Sequence, residues 1–143
     1  MKRGEFLSTI TGPISLACVA CLASACSKEE SGAPAAVNAP SPSSGFSVNL
    51  DTELKSVNNF VAKNGIIVIR TASGNSAASF AAYSAVCPHA GATVEYNASS
   101  SSFLCAAHGS TFSSTGALIQ GPATRGLTKL EVDISGTTLR VKV

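Results

Sequence analysis

Two cysteines and two histidines lie close together in the second half of the chain: Cys87, His89, Cys105 and His108. They form a C-x-H pair and a C-x-x-H pair separated by fifteen residues, and they include both histidines of the 143-residue protein. The other three cysteines all lie within the first 26 residues. Thiolates and imidazoles are the ligands that proteins offer to transition metals. The pattern therefore predicts a metal site formed by two short loops.

The composition of each pair narrows the kind of site. A structural zinc site usually takes two cysteines from one loop and two histidines from the other. Here each loop carries one residue of each type, which suits two metal ions, one held by both cysteines and one by both histidines. Three other interpretations stay open: a zinc-binding module without redox function, a disulfide between Cys87 and Cys105, and a purely structural role.

The residues around these loops have the pattern of short strands. A β-branched run at 66–69 predicts a strand that is covered on both faces. Alternating apolar residues on either side of Ser135-Gly136 predict a C-terminal hairpin. We expect further strands at 46–50, 79–86, 94–96 and 103–105, and one short helical turn within 54–61. The fold class is therefore all-β, a small antiparallel β-sandwich or barrel.

The first 45 residues have a different composition. Residues 1–26 begin with Lys2 and Arg3, continue as an apolar run and end in small residues, which is the layout of an export signal. Their end, Ala23-Ser24-Ala25-Cys26, resembles the lipobox of bacterial lipoproteins, in which the cysteine receives a lipid. An uncleaved membrane anchor and complete secretion are the alternatives. Residues 27–45 contain three prolines and predict a flexible linker. The domain at 46–143 is then expected outside the cytoplasmic membrane of a bacterium, tethered to it.

The charge of the chain argues against one class of partner. Ten basic and eight acidic residues leave a formal net charge of +2, without a cluster of lysines and arginines. Proteins that bind nucleic acid usually carry a basic patch on one face. We therefore expect no nucleic-acid partner.

Three segments, CPHAG at 87–91, CAAHGS at 105–110 and GPA at 121–123, resemble the Rieske iron–sulfur proteins. The similarity is greatest to those of cytochrome bc-type complexes and to small subunits of periplasmic oxidoreductases, and it covers roughly residues 46–143. It implies a Rieske 2Fe-2S cluster, with Cys87 and Cys105 on the inner iron and His89 and His108 on the outer iron. It also implies a domain of three β-sheets with an inserted cluster-binding subdomain, here about 84–125, over which the Gly-Pro segment folds.

The resemblance includes one matching position and three departures. Ser110 stands where the family donates a hydroxyl hydrogen bond to a bridging sulfide, so it is a further cofactor-binding candidate. Phe112 replaces the tyrosine that follows in the family pattern. Ala92 and Ala107 stand where bc-type members carry two cysteines that form a disulfide.

The resemblance implies one-electron transfer, with no catalytic residue in the chain. The protein would be an electron-transfer protein, or an oxidoreductase subunit without substrate chemistry of its own. Its redox partner would be a cytochrome or another oxidoreductase subunit. A Rieske ferredoxin that supplies an oxygenase is the alternative, and the export signal argues against it because such systems are cytoplasmic.

Overall fold

The computed structural model describes residues 38–42 and 44–143. The predicted export signal and residues 27–37 of the predicted linker lie outside this part of the chain. Within it, no helix is both long and apolar enough to span a membrane. The regular structure comprises a 3-10 turn (Ala77–Ser79) and strands β1 (Ser47–Asn49), β2 (Phe60–Lys63), β3 (Ile66–Arg70), β4 (Phe80–Ser84), β5 (Glu95–Asn97), β6 (Ser102–Cys105), β7 (Ser110–Ser113), β8 (Leu118–Gln120), β9 (Lys129–Ser135) and β10 (Thr138–Lys142).

The strands form two antiparallel sheets. The larger sheet has the order β1-β10-β9-β4-β3-β2, and the smaller one has the order β5-β6-β7-β8. Strands β4 and β9 pair over two residue pairs only, Ala82 with Leu130 and Tyr83 with Lys129. The larger sheet therefore consists of two three-stranded halves connected by this short pairing. The two halves and the smaller sheet correspond to the three β-sheets that the resemblance implied. The predicted all-β, antiparallel fold class is confirmed.

Strands β3 and β4 separate two hydrophobic cores, and all their residues are buried. Ile66 and Val68 pack into the core shared with β1 and β10, whereas Ile67 and Ile69 pack into the core that contains both cysteines of the metal motif. Successive residues of a strand point to opposite faces of the sheet, so a strand between two cores is apolar throughout. The prediction of a strand covered on both faces at 66–69 is confirmed.

The helical turn predicted within residues 54–61 is wrong. The chain there forms bends and turns, and β2 begins at Phe60. Leu54 and Asn58 have φ angles of 53° and 73°, in the left-handed region that a right-handed helix excludes. The Leu54 side chain is buried as a core residue. The other apolar residues of the segment do not form a helix face either, because Val57 is exposed and Phe60 and Val61 belong to β2.

Asn58 connects the larger sheet to the smaller one. Its side-chain amide donates a hydrogen bond to the carbonyl oxygen of Ala98, and its side-chain oxygen accepts one from the hydroxyl of Tyr96. The ring of Tyr96 packs edge-on against Phe60 of β2 and Phe103 of β6, with centroid distances of 5.3 and 4.9 Å. These contacts fix the β5–β6 hairpin, and with it the smaller sheet, against β2.

Candidate metal centre

The two Cys/His loops share one backbone design. The amide of Gly91 donates to the carbonyl of Cys87, and the amide of Gly109 donates to the carbonyl of Cys105, each at 2.9 Å. The two glycines have φ angles of 75° and 76°, which glycine adopts at little cost. Sequence reasoning missed these turns, although a signal was present in the glycine that follows each cysteine by four residues.

Different neighbours hold the two loops. The second loop joins β6 to β7, where Cys105 ends one strand and pairs with Ser110 at the start of the next. The first loop follows β4 and is closed by a hydrogen bond of 2.8 Å from the amide of Cys87 to the carbonyl of Ala92. An isolated bridge between Val86 and Thr93 lies at its base. The structure thus places both predicted loops side by side, at one end of the smaller sheet.

The two cysteines form the buried half of the site. Each side chain is 1% exposed, and both thiols are free, so the alternative of a disulfide between Cys87 and Cys105 is not realised. Burial raises the pKa of the Cys105 thiol, and its hydrogen bond and charge interaction with Cys87 raise it further. The backbone amides of Ala107 and His108 point at the same sulfur and lower this pKa. Such amides stabilise a thiolate once a metal displaces the proton.

The two histidines form the exposed half. Their Nδ1 atoms are 3.2 Å apart, and their rings meet edge-on with a centroid distance of 4.7 Å. A tetrahedral metal holds imidazole nitrogens at about 2.0–2.1 Å, which places two of them about 3.3–3.4 Å apart. The spacing of His89 and His108 therefore suits two ligands of one metal ion.

The four residues converge as two pairs. Among the described residues, no three His, Cys, Asp or Glu side chains gather into one group that could hold a metal ion. The observed arrangement is instead a dry thiol pair and an exposed imidazole pair, contributed in equal parts by the two loops. This donor set fits a cluster of two irons, in which thiolates hold one iron and imidazoles the other.

The Gly-Pro segment packs on Ser110, the residue that follows the second loop. The Ser110 side chain is fully buried, and its hydroxyl oxygen accepts a hydrogen bond of 3.2 Å from the amide of Ala123. Because the oxygen acts as the acceptor there, the hydroxyl proton stays available to donate. Gly121 lies so close that an added Cβ would be 2.4 Å from the Cα of Ser110. The segment 121–123 thus packs directly on Ser110.

Phe112 faces the same interior as Ser110. Both are buried residues of β7 two positions apart, and alternate residues of a strand share a face. Phe112 pairs across the sheet with Phe103 and is completely buried in the core that contains both cysteines. Phe112 therefore lies in the same apolar interior as the two thiols.

Comparison with known proteins identifies the family. The family model of the Rieske [2Fe-2S] domain matches residues 45–131. The chain belongs to the Rieske [2Fe-2S] domain family. Its cofactor is a Rieske 2Fe-2S cluster, in agreement with the donor set of the two loops.

Known relatives of this Rieske domain match a part of their length. The iron-sulfur subunit of the cytochrome b6-f complex from Synechococcus sp. (strain JA-3-3Ab) is 39% identical over 56 residues, which are 39% of this chain and 33% of that protein. The matched stretch thus spans about a third of that relative.

Solved structures share the fold. A hyperthermophilic respiratory Complex III has a chain that aligns with a TM-score of 0.52 at 20% identity, covering 65% of this chain and 71% of that one. A naphthalene 1,2-dioxygenase aligns with a TM-score of 0.54 at 24% identity, covering 68% of this chain and 25% of that one. At these identities the likeness shows a common fold.

Replacing Gly121 by alanine should loosen the cover of the site. The new Cβ would meet the backbone of Ser110, and the residue has a φ of 110°, where a side chain adds strain of about 1–3 kcal/mol. Gly74→Ala is the matched control, because its φ is 97° and its nearest neighbour would be 3.7 Å away. We expect the cluster absorbance to decay faster in a chelator for Gly121→Ala than for Gly74→Ala. Equal decay would contradict the covering role of 121–123.

Proposed function

We propose that this Rieske protein is a one-electron carrier in which Cys87 and Cys105 hold the inner iron and His89 and His108 the outer iron. The observation that carries the proposal is the separation of a buried thiol pair from an exposed imidazole pair whose Nδ1 atoms are 3.2 Å apart. When bound, the cluster accepts and returns one electron. Ser110 completes the site with its hydroxyl.

The two imidazoles determine the net charge of the bound cluster and, through it, the reduction potential. As neutral ligands, they replace two of the four thiolates that hold an ordinary 2Fe-2S cluster and so remove two negative charges. Adding an electron then costs less, which raises the reduction potential above that of a four-thiolate cluster. The amides of Ala107 and His108 act in the same direction because they stabilise negative charge on the Cys105 sulfur.

The exposure of the histidines indicates where electrons pass. His89 and His108 are exposed, whereas both cysteines are buried beneath them. A redox partner therefore approaches the imidazole end, where the path to the cluster is shortest. No lysine, arginine, aspartate or glutamate stands at 87–92 or at 105–110. The partner of such a surface would be a cytochrome or an oxidoreductase subunit; the relative named above is the iron-sulfur subunit of a cytochrome b6-f complex.

The N-terminal sequence supports a location outside the cytoplasmic membrane. The basic start and apolar run of residues 1–26 are typical of export, and Cys26 ends a lipobox-like segment. The proposed protein is tethered to a bacterial membrane by a lipid on Cys26 or by the N-terminal segment itself. It functions as a component of a respiratory or periplasmic oxidoreductase and has no substrate chemistry of its own.

Removal of any of the four ligands should abolish the cluster. We expect the purified full-length protein to contain iron and acid-labile sulfide in equal amounts and to give a Rieske EPR signal on reduction. Cys87→Ser, His89→Ala, Cys105→Ser and His108→Ala should each lose both, because one open coordination position exposes the cluster to water. Cys18→Ser and Cys21→Ser are controls that should retain them. A colourless, folded wild type with stoichiometric zinc would contradict the proposal.

The tether can be tested by fractionating bacteria that express the full chain. The wild-type domain should lie in the membrane fraction and be accessible to protease from outside the cytoplasmic membrane. If the tether is a lipid, the wild type should begin at Cys26 and incorporate labelled fatty acid; Cys26→Ser should lose the label, whereas Cys21→Ser should keep it. A membrane-bound wild type without label and with an uncleaved N-terminus would identify an N-terminal anchor. A domain found in the cytoplasm would refute the location.

Phe112→Tyr should raise the reduction potential by about 40–60 mV. A tyrosine hydroxyl that donates to a cysteine thiolate favours the reduced state, which carries more negative charge on sulfur. A hydrogen bond to a charged group is worth about 1.5–3 kcal/mol, of which about 1–1.4 kcal/mol would differ between the redox states. Phe80→Tyr, in the core that lacks the cysteines, is the control for a buried hydroxyl. Voltammetry that finds an unchanged or lower potential in a cluster-containing Phe112→Tyr would contradict this role.

A further inference from the structure

Residues 38–40, here called the strap, are attached to the first ligand loop. The amide of Ala39 donates a hydrogen bond of 3.0 Å to the carbonyl of Gly91, and Asn38 forms an antiparallel bridge with Ala92. Gly91 and Ala92 lie two and three residues after His89. The composition of 27–45 predicted a flexible linker, yet this part of it is bound to the domain beside a proposed ligand.

The other end of the strap is attached to the turn between β2 and β3. A Cβ added to Gly65 would be 2.1 Å from the carbonyl oxygen of Pro40, so the two backbones are in direct contact. The carbonyl of Gly65 in turn accepts a hydrogen bond of 2.7 Å from the amide of Ala85. Since Ala85 precedes Cys87 by two residues, the strap, the β2–β3 turn and the first ligand loop form a closed ring of backbone contacts.

The first ligand loop has fewer contacts with neighbouring strands than the second, so the contacts of the strap matter more for it. The second loop joins β6 and β7, which pair over four residue positions, and the segment 121–123 packs on Ser110 at its end. At the base of the first loop no named strands pair; its hydrogen bonds there are Cys87 to Ala92 and Val94 to Ala85, around the isolated bridge of Val86 with Thr93. Neither loop is cross-linked, because both cysteines of the described residues are free. On the first loop, the strap adds the hydrogen bond from the Ala39 amide to the Gly91 carbonyl.

We propose that the strap is a positioning element for His89. It fixes Gly91 and Ala92, and through them the turn that begins at Cys87, so that the His89 Nδ1 is held opposite the His108 Nδ1. The proposal rests on the ligand role of His89 proposed above. The Ala39 amide is its central contact, because that hydrogen bond joins the strap to the turn itself.

Ala39→Pro in the full-length protein tests the strap, because proline removes the donor without adding a charged or polar group. Ser41→Pro is the matched control, since within the described residues the Ser41 amide makes no hydrogen bond. We expect amide hydrogen exchange in the first ligand loop to become about 3- to 10-fold faster in Ala39→Pro, the ratio expected for the loss of one backbone hydrogen bond. The second ligand loop should be unchanged, and Ser41→Pro should match the wild type.

A spectroscopic measurement distinguishes positioning from mere support of the backbone. The EPR g-values of reduced Ala39→Pro should shift or broaden relative to Ser41→Pro, because they depend on how the imidazoles are held at the iron. Faster exchange with an unchanged EPR signal would overturn the positioning of His89, and unchanged exchange would overturn the strap itself. The exchange measurement does not require a cluster, so failure of the ligand assignment is recognised separately by metal and sulfide analysis.

A second pair of variants covers the case in which Ala39→Pro does not fold. Gly65→Ala should displace Pro40. Gly136→Ala is the control, because it places a side chain at a similar left-handed φ, 59° instead of 70°, and its Cβ would have no atom within 4 Å. Faster exchange of the first ligand loop in Gly65→Ala than in Gly136→Ala supports the strap. Equal exchange in the two variants contradicts it.

Discussion

The whole arrangement depends on one feature: two thiols are kept dry while two imidazoles of the same loops stay exposed. The structure achieves this by starting each ligand loop from a cysteine anchored in a core and by letting the histidine follow within the same turn. Cys87 and Cys105 share that core with Phe103, Phe112 and Tyr83. On its other side this core packs against β3 and β4, which can separate two cores because they are apolar on both faces. The second core, on the other side of β3 and β4, keeps these strands in place.

The parts of the fold that the sequence predicted are those with a long apolar signal. The β-branched run of β3 and the alternation of β9 and β10 carry enough residues to identify a strand and its buried face. Strand β7 gave no such signal, because the chain from 110 to 115 is rich in serine and threonine and buries only Ser110 and Phe112. A serine whose hydroxyl is satisfied by a backbone amide, as in Ser110, is buried without looking apolar.

The chemical groups of the site were predictable because they are rare in this chain, and the backbone that positions them was not. A cysteine or histidine indicates a metal site by its residue type alone. The glycine turns are recognised only when the sequences of the two loops are compared. The contact between Ala39 and Gly91 involves backbone atoms alone, so the identity of neither side chain encodes it. Proline- and serine-rich composition indicates a segment that does not build its own core. Such a segment still binds where a neighbouring loop presents an unpaired carbonyl.

The even division of thiol and imidazole between the two Cys-x-x-x-Gly turns has a consequence for cofactor insertion. On the proposed ligand set, neither turn can complete the coordination of either iron, so a single ordered loop offers no stable intermediate site. Assembly of the holoprotein is then cooperative, since binding of the cluster stabilises the first turn only when the second turn is also in place. The same coupling links cofactor loading to folding of the smaller sheet, whose strands β6 and β7 carry one of the turns. A population of molecules should therefore divide into fully loaded and empty forms, with few that hold one iron.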